Sequence, residues 1–156
     1  MTCTIRRARP EEAPAISQLI ITTLRVSNAG DYSPQVIAQV EQHFAPPSIL
    51  QLMQQRQVYV AHAEQQLIGT ASLDGAVVRS VFVDPDWQGR GVGQALMAQL
   101  VALARAAHLS ALQVPASVTA ESFYARLGFE KVRDQYHGEE RTIVMNLPLN
   151  ESSPVN

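Results

Sequence analysis

The stretch Val83-Asp84-Pro85-Asp86-Trp87-Gln88-Gly89-Arg90-Gly91-Val92-Gly93 decides the reading of this chain. An apolar, β-branched run, Val77–Val83, precedes it and reads as a strand. Asp84-Pro85-Asp86 ends that strand. From about Gly91 to Ala107 the apolar residues Val92, Leu96, Leu100 and Leu103 recur at helical spacing, and Met97 and Val101 lie on a second stripe. This helix is therefore apolar on most sides and should be largely buried. Glycines at a strand-to-helix turn let a backbone approach a ligand closely. The unpaired N–H groups and the dipole of a helix start favour an anion such as a pyrophosphate. The glycines fall at 89, 91 and 93. Gln94 stands where a dinucleotide fingerprint needs glycine, and no Gly-Lys-Ser/Thr follows as in a Walker loop.

Outward from this turn the chain alternates between helical and extended patterns. Thr2–Ala8 reads as a strand, and Pro10 suits a first helical position. Ala13, Ile16, Leu19, Ile20 and Leu24 predict an amphipathic helix to about Ser27. The run Asn28-Ala29-Gly30-Asp31 breaks it. A helical stretch follows over Pro34–Phe44, Pro46-Pro47 interrupts it, and a short helix runs to about Gln55. Gln57–Ala63 and Gln66–Leu73 read as strands, and Asp74-Gly75 is a hairpin signal into Val77–Val83. Leu109–Val114 reads as a strand, Val118–Leu127 as a short helix stopped by Gly128, and Phe129–Tyr136 with Arg141–Leu147 as a last hairpin. There is no internal repeat.

The 156 residues suit one domain, expected over 1–149 with a frayed tail at 150–156. A hydrophobic share of 46% against 17% charged residues excludes wholesale disorder. The net charge of -2 argues against a dedicated nucleic-acid binder, and Arg6, Arg7 and Arg9 beside Glu11 and Glu12 read as solvated surface. No apolar run approaches the roughly 20 residues of a membrane span, and the first residues lack a signal-peptide pattern. The lone Cys3 excludes an internal disulfide and reads as a small core residue. His43, His62, His108 and His137 have no metal-ligand spacing with carboxylates, so no metal is expected. A cytoplasmic location fits these features.

At residues 83–93 the sequence resembles the GNAT superfamily of acetyl-CoA-dependent N-acetyltransferases, whose acyl-CoA motif runs approximately V-x-P-x-x-[QR]-G-x-G-[VI]-G. A second family pattern, a polar residue followed by A-x-x-[LF]-Y-x-x-x-G-F, is met by Ser117 and then Ala120-Glu121-Ser122-Phe123-Tyr124-Ala125-Arg126-Leu127-Gly128-Phe129. The order of elements agrees over residues 3–148, and Ser117-x-Thr119-Ala120 with Gly138-Glu139 resembles a small bacterial-type branch. The resemblance implies an α/β (α+β) fold, a mixed central sheet of about six to seven strands flanked by about four helices. It implies N-acetyl transfer from acetyl-CoA, as cosubstrate, directly to a primary amine of a small molecule, amino acid or peptide end. It also allows a homodimer. Two other readings remain open at this point. One is a non-catalytic acyl-CoA sensor or interaction module of the same fold; the other is a different phosphate-ligand enzyme sharing only the glycine turn.

Carried over by position, the N–H groups of Gln88, Gly89, Arg90, Gly91, Val92, Gly93 and Gln94 would cradle the CoA pyrophosphate. Val83 would pair with the pantetheine arm, Phe82 and Ala120 would line it, and Val81 N–H would stabilise the developing oxyanion. Trp87 and Arg90 either lie against the cosubstrate or are exposed. Ser117 stands where many relatives have asparagine; with fewer hydrogen-bonding groups it would still hydrogen-bond the pantetheine or the adenine-side backbone. Phe123 and Tyr124 would also contact the cosubstrate, and Tyr124 matches the proposed general acid; the alternative is a core tyrosine in an amphipathic helix. The strand before the loop offers Arg79 and Ser80 but no carboxylate as general base, which leaves His137, Glu139, Glu140, Asp31 and Glu121. An α-amine near pKa 8 is about one-fifth neutral at pH 7.4 and a lysine-like amine about 0.1%, so the missing carboxylate favours a low-pKa acceptor amine. Asp31, Tyr32, Phe44, His62, Tyr136 and His137 are expected to line the acceptor site.

Overall fold

The computed structural model describes residues 3–27, 33–138 and 140–149. Among these residues, seven strands form one sheet: β1 (Thr4–Arg7), β2 (Gln57–Ala63), β3 (Gln66–Asp74), β4 (Val77–Val83), β5 (Ala111–Ser117), β6 (Glu130–His137) and β7 (Glu140–Pro148). Their order across the sheet is β1-β2-β3-β4-β5-β7-β6, so the last strand inserts between β5 and β6. All neighbours are antiparallel except β4 and β5. Among the described residues, five α-helices flank the sheet: α1 (Ala13–Val26), α2 (Pro34–Gln42), α3 (Pro46–Gln55), α4 (Val92–Ala106) and α5 (Glu121–Arg126). That is one more helix than the resemblance implied. Pro46 and Pro47 open α3 rather than merely interrupting its predecessor, because proline is tolerated in a first helical turn where no N–H bond is lost.

The alternation of side chains along the strands sorts the core into two layers. Ala61, Ile68 and Ala71 pack against Leu96, Met97 and Leu100 of α4 on one face. Val60 packs with Ile16, Ile20 and Leu24 of α1 and Ile49 of α3 on the other. The expected burial of α4 is met at Val92, Leu96, Met97, Leu100 and Ala104. Cys3 is partly buried against the α4-side core. No helix among the described residues is long and apolar enough to cross a membrane.

Two irregularities shape the middle of the sheet. Between β4 and β5 the one register pair among the described residues is Val77 with Gln113, where Gln113 N–H also donates to the Ala76 carbonyl at 3.0 Å. Beyond that point the two strands share no ladder. Within β4, Arg79 pairs with Ser72 and Phe82 with Thr70, so Ser80 and Val81 together face the single residue Ala71. This is a β-bulge, and Ser80 adopts φ 56° there. The bulge inverts the alternation: Val78 and then Val81 and Val83 face α4, whereas Phe82 faces α1.

At the sheet's outer edge, Arg6 is not simply solvated. Its guanidinium donates twice to Glu12, at 3.0 and 2.5 Å, and Glu12 also accepts from Arg9 N–H at 2.8 Å. The Arg6 bonds, chiefly, hold the Glu12 carboxyl at about 2, below its ordinary 4.5. A depressed carboxylate contributes its stability fully above the ordinary value and loses it as the pH falls through the folded one. Solvent screening at this edge trims the contribution to about 1–2 kcal/mol. Glu12→Gln should therefore lower the melting temperature by about 3–6 °C at pH 7, and the difference from wild type should close between pH 4.5 and 2 in a thermal-denaturation series.

Candidate active site

The parting of β4 and β5 opens a wedge through the sheet, and a cleft lies on each side of it. The first cleft, of about 500 Å³, is walled by Val81–Val83, the 87–94 turn and α5. The second, of about 550 Å³, is walled by β4, β5, Phe44 and Val40 beyond α1, and the β6–β7 hairpin. Val81, Phe82, Ser117, Ala120 and Tyr124 belong to both walls, so these five residues form the passage between the clefts.

The first cleft is built around the start of α4. Gly91 caps the helix at φ 87°, a conformation that a side chain resists. The first intrahelical bond runs from Ala95 N–H to Gly91 O at 3.0 Å. The N–H groups of Val92, Gly93 and Gln94 thus have no partner within the helix, and the helix dipole adds positive potential at the same place. A Cβ at Gly93 would lie 3.1 Å from the Phe123 ring, so the glycine is what lets α4 and α5 approach. Trp87 is buried and contributes to the wall. Arg90 stacks on it, its guanidinium carbon 4.9 Å from the ring centroid, and does not itself line the cleft. The Val83 carbonyl accepts from the Gln88 side-chain amide at 3.0 Å, and that amide also donates to Ser27 Oγ at 2.9 Å. Ser117 Oγ accepts from Ala120 N–H at 3.2 Å and so fixes the turn into α5, while its own O–H stays available.

Tyr124 is 5% exposed, wedged edge-to-face between Phe123 and Phe129 at 5.1 and 5.5 Å. Its hydroxyl makes no hydrogen bond to any described residue. Burial pushes its pKa well above the ordinary 10.0, so it is a neutral donor across the physiological range. A buried, unpaired hydroxyl is costly unless something else meets it.

The second cleft gathers a different set. His137 and Glu140 line it, and so does Phe44, packed edge-to-face on Phe82 at 5.8 Å. Glu121 is absent from both walls. Tyr136 is 63% exposed and lines neither. His62 is also elsewhere: its Nε2 lies 2.8 Å from Arg6 Nη2 and 3.2 Å from Glu12 at the sheet edge. Asp31, Tyr32 and Glu139 lie outside the described residues. Arg56 in the second cleft was not anticipated. It sits at the end of α3, and its Nη1 donates to Ser80 Oγ at 3.2 Å. A single basic residue closing a glutamine-rich helix, Gln54-Gln55-Arg56-Gln57, was the available signal.

Known proteins agree with this architecture. The family model described as an acetyltransferase (GNAT) domain matches residues 28–145. The chain is 31% identical over 134 residues to the uncharacterized N-acetyltransferase YafP of Escherichia coli K12, covering 84% of this chain and 83% of that protein. Among solved structures, it resembles a GCN5-related N-acetyltransferase from Rhodopseudomonas palustris with a TM-score of 0.88 and 26% identity, over 96% of this chain and 97% of that one. It also shares the fold of the PaiA N-acetyltransferase of Thermoplasma acidophilum, solved in complex with coenzyme A, with a TM-score of 0.81 and 17% identity over 95% of this chain and 99% of that one. The sheet parted at β4 and β5, the glycine turn at the start of α4 and these matches along the chain converge: it is an acyltransferase and belongs to the GNAT acetyltransferase family.

Proposed function

We propose that this chain moves an acetyl group from acetyl-CoA directly to a primary amine of a small molecule, amino acid or peptide end, with the cosubstrate in the first cleft and the amine in the second. The observation that carries this reading is the passage between them, which Tyr124 and Val81, on the bulged strand, both line. Direct transfer requires the two reactants to meet through one opening, and two clefts joined by one passage support that reading.

Acetyl-CoA supplies the activated thioester when bound. The N–H groups of Gln88 to Gln94 would hold its pyrophosphate, and Val83, Phe82, Ala120 and Phe123 would flank the pantetheine arm. Val81 N–H, at the bulge, would donate to the carbonyl oxygen as negative charge builds there. The amine nitrogen forms the new bond to the carbonyl carbon, the carbon–sulfur bond breaks, and the amine loses a proton. Tyr124 would hydrogen-bond the departing sulfur. Outright proton transfer from even an unperturbed phenol to a thiolate is uphill by about 2 kcal/mol, and burial makes it steeper. Its main service is therefore a hydrogen bond that strengthens as charge reaches the sulfur. His137 and Glu140 are the base candidates that share the second cleft, and either would receive the amine's proton or pass it to water.

Four outcomes test this. Thiol release from acetyl-CoA should appear with some members of a panel of amines, amino acids and peptides, measured in a Cys3→Ser background. On the active acceptor, Tyr124→Phe should lower kcat by about 100-fold while acetyl-CoA affinity stays within about twofold; an unaltered kcat would remove Tyr124 from the chemistry. The kcat profile should show no alkaline loss from Tyr124 up to pH 10.0, because its folded pKa lies above that value. Gly93→Val should press on Phe123 and weaken acetyl-CoA binding by about tenfold in a titration, the cost of overpacking a tight contact.

A further inference from the structure

Arg56 is four-fifths buried, with 18% of its side chain exposed, yet its guanidinium is nearly unspent. Among the described residues, its one side-chain hydrogen bond goes to Ser80 Oγ. A guanidinium has five N–H donors. The nearest carboxylate, Asp74, stands 4.0 Å from Nε, beyond hydrogen-bond reach, and shares its charge with Arg79 at 3.5 Å. Arg133 lines the same cleft and forms no ion pair with a described residue. Glu140 is the one carboxylate among the described residues of the wall. Among the described residues the second cleft therefore keeps a positive excess, Arg56, Arg79 and Arg133 against Glu140 and the shared Asp74, and Arg56 keeps donors that meet no hydrogen-bond acceptor there. Burial, and then the like charge of Arg79, pull the Arg56 pKa below its ordinary value, as expected for a cation left short of partners. Leaving such a group desolvated is costly unless an anion joins it.

The tether also fixes where that anion would sit. Ser80 takes a positive φ, an arrangement that costs energy for a residue with a side chain, and in that conformation its hydroxyl receives Arg56. The next residue is Val81, the proposed donor to the acetyl oxygen. An anion on Arg56 is thus close to the reacting amine, separated by a few bonds within the acceptor.

We infer that the acceptor is an amine bearing a carboxylate or phosphonate near its amino group, and that Arg56, positioned by Ser80 and flanked by Arg79, binds that anion. The inference rests on the acetyl-transfer reading for the role of the second cleft. It narrows the acceptor from amines in general to compact amino acids or aminoalkylphosphonates, and it disfavours polyamines, whose charges the arginines repel.

Two readouts test it on the full chain. In the first, CoA-saturated protein is titrated with the N-acetyl forms of the common α-amino acids, their carboxamides, and N-acetyl aminoalkylphosphonates. At least one anionic compound should bind about tenfold or more tighter than its neutral amide, and in Arg56→Gln that preference should collapse to near unity. Arg56→Lys, which keeps charge but loses the planar fork, should retain only part of it. Ser80→Ala should weaken the preference while leaving CoA binding intact. In the second, kcat/KM is compared for the free amino acids, amides and aminoalkylphosphonates; a preference for carboxylates or for phosphonates identifies which anion is the ligand. Acids binding no better than amides across the wild-type panel would overturn the inference, and that comparison does not depend on any variant folding. Anion-selective binding without turnover would uphold the site and discard the transfer reading instead.

Discussion

Everything in this molecule turns on a ladder that stops. β4 and β5 are parallel neighbours that meet at Val77 and Gln113 and go no further together. A sheet interior normally satisfies its backbone polar groups through continuous pairing. Here the remaining length of β4, about 20 Å at the usual rise per residue, faces a gap instead of a strand. The gap survives because each side is held by its own antiparallel partner, β3 for β4 and β7 for β5. Cores on both faces then brace the two halves, with α4 on one side and α1 and α3 on the other.

The bulge at Ser80 and Val81 is the second constraint, and it works with the first. In a regular strand the residues that face α4 at Val78 would continue at 80 and 82. The extra residue moves that face to Val81 and Val83 and turns Phe82 towards Phe44 and α1. One strand thereby serves both clefts. Arg79 and Ser80 serve the charged side of the second cleft, and Val81 to Val83 line the side towards the glycine turn. The cost of a serine at positive φ is repaid locally by the Arg56 hydrogen bond, so α3 and β4 hold each other in place.

Much of this was readable from the residues alone. The strand, turn and helix around Val83–Gly93 stood out because glycine spacing and β-branched runs are local properties. The buried character of α4 followed from apolar stripes on several faces. What escaped depends on register and on distant partners. No local pattern distinguishes the bulged Ser80 from an ordinary polar position in a strand. Nor does any reveal that Arg56, four-fifths buried, would reach Ser80 across 24 positions of sequence. His62 looked like a site residue because a histidine on a strand is chemically able. Its actual surroundings are set by Arg6 and Glu12, brought beside it by the β1–β2 pairing. The prolines at 46 and 47 read as a break, although at a first turn they begin a helix.

The Gln88 amide gives the fold a quieter consequence. It already occupies the Val83 carbonyl, with Ser27 as its second tether. Any chain that adds itself along β4 at this point finds that acceptor taken and must exchange one hydrogen bond for another. Such an exchange is close to neutral in enthalpy, so it leaves the carbonyl paired in the resting protein, where Thr23 Oγ1 also donates to it at 3.4 Å, without adding to the grip on an incoming chain. Because it needs only a partly exposed side chain to change rotamer, it runs on a picosecond-to-nanosecond clock. The strand edge is thereby kept sealed between visits, yet its opening is far too quick to set the pace of turnover.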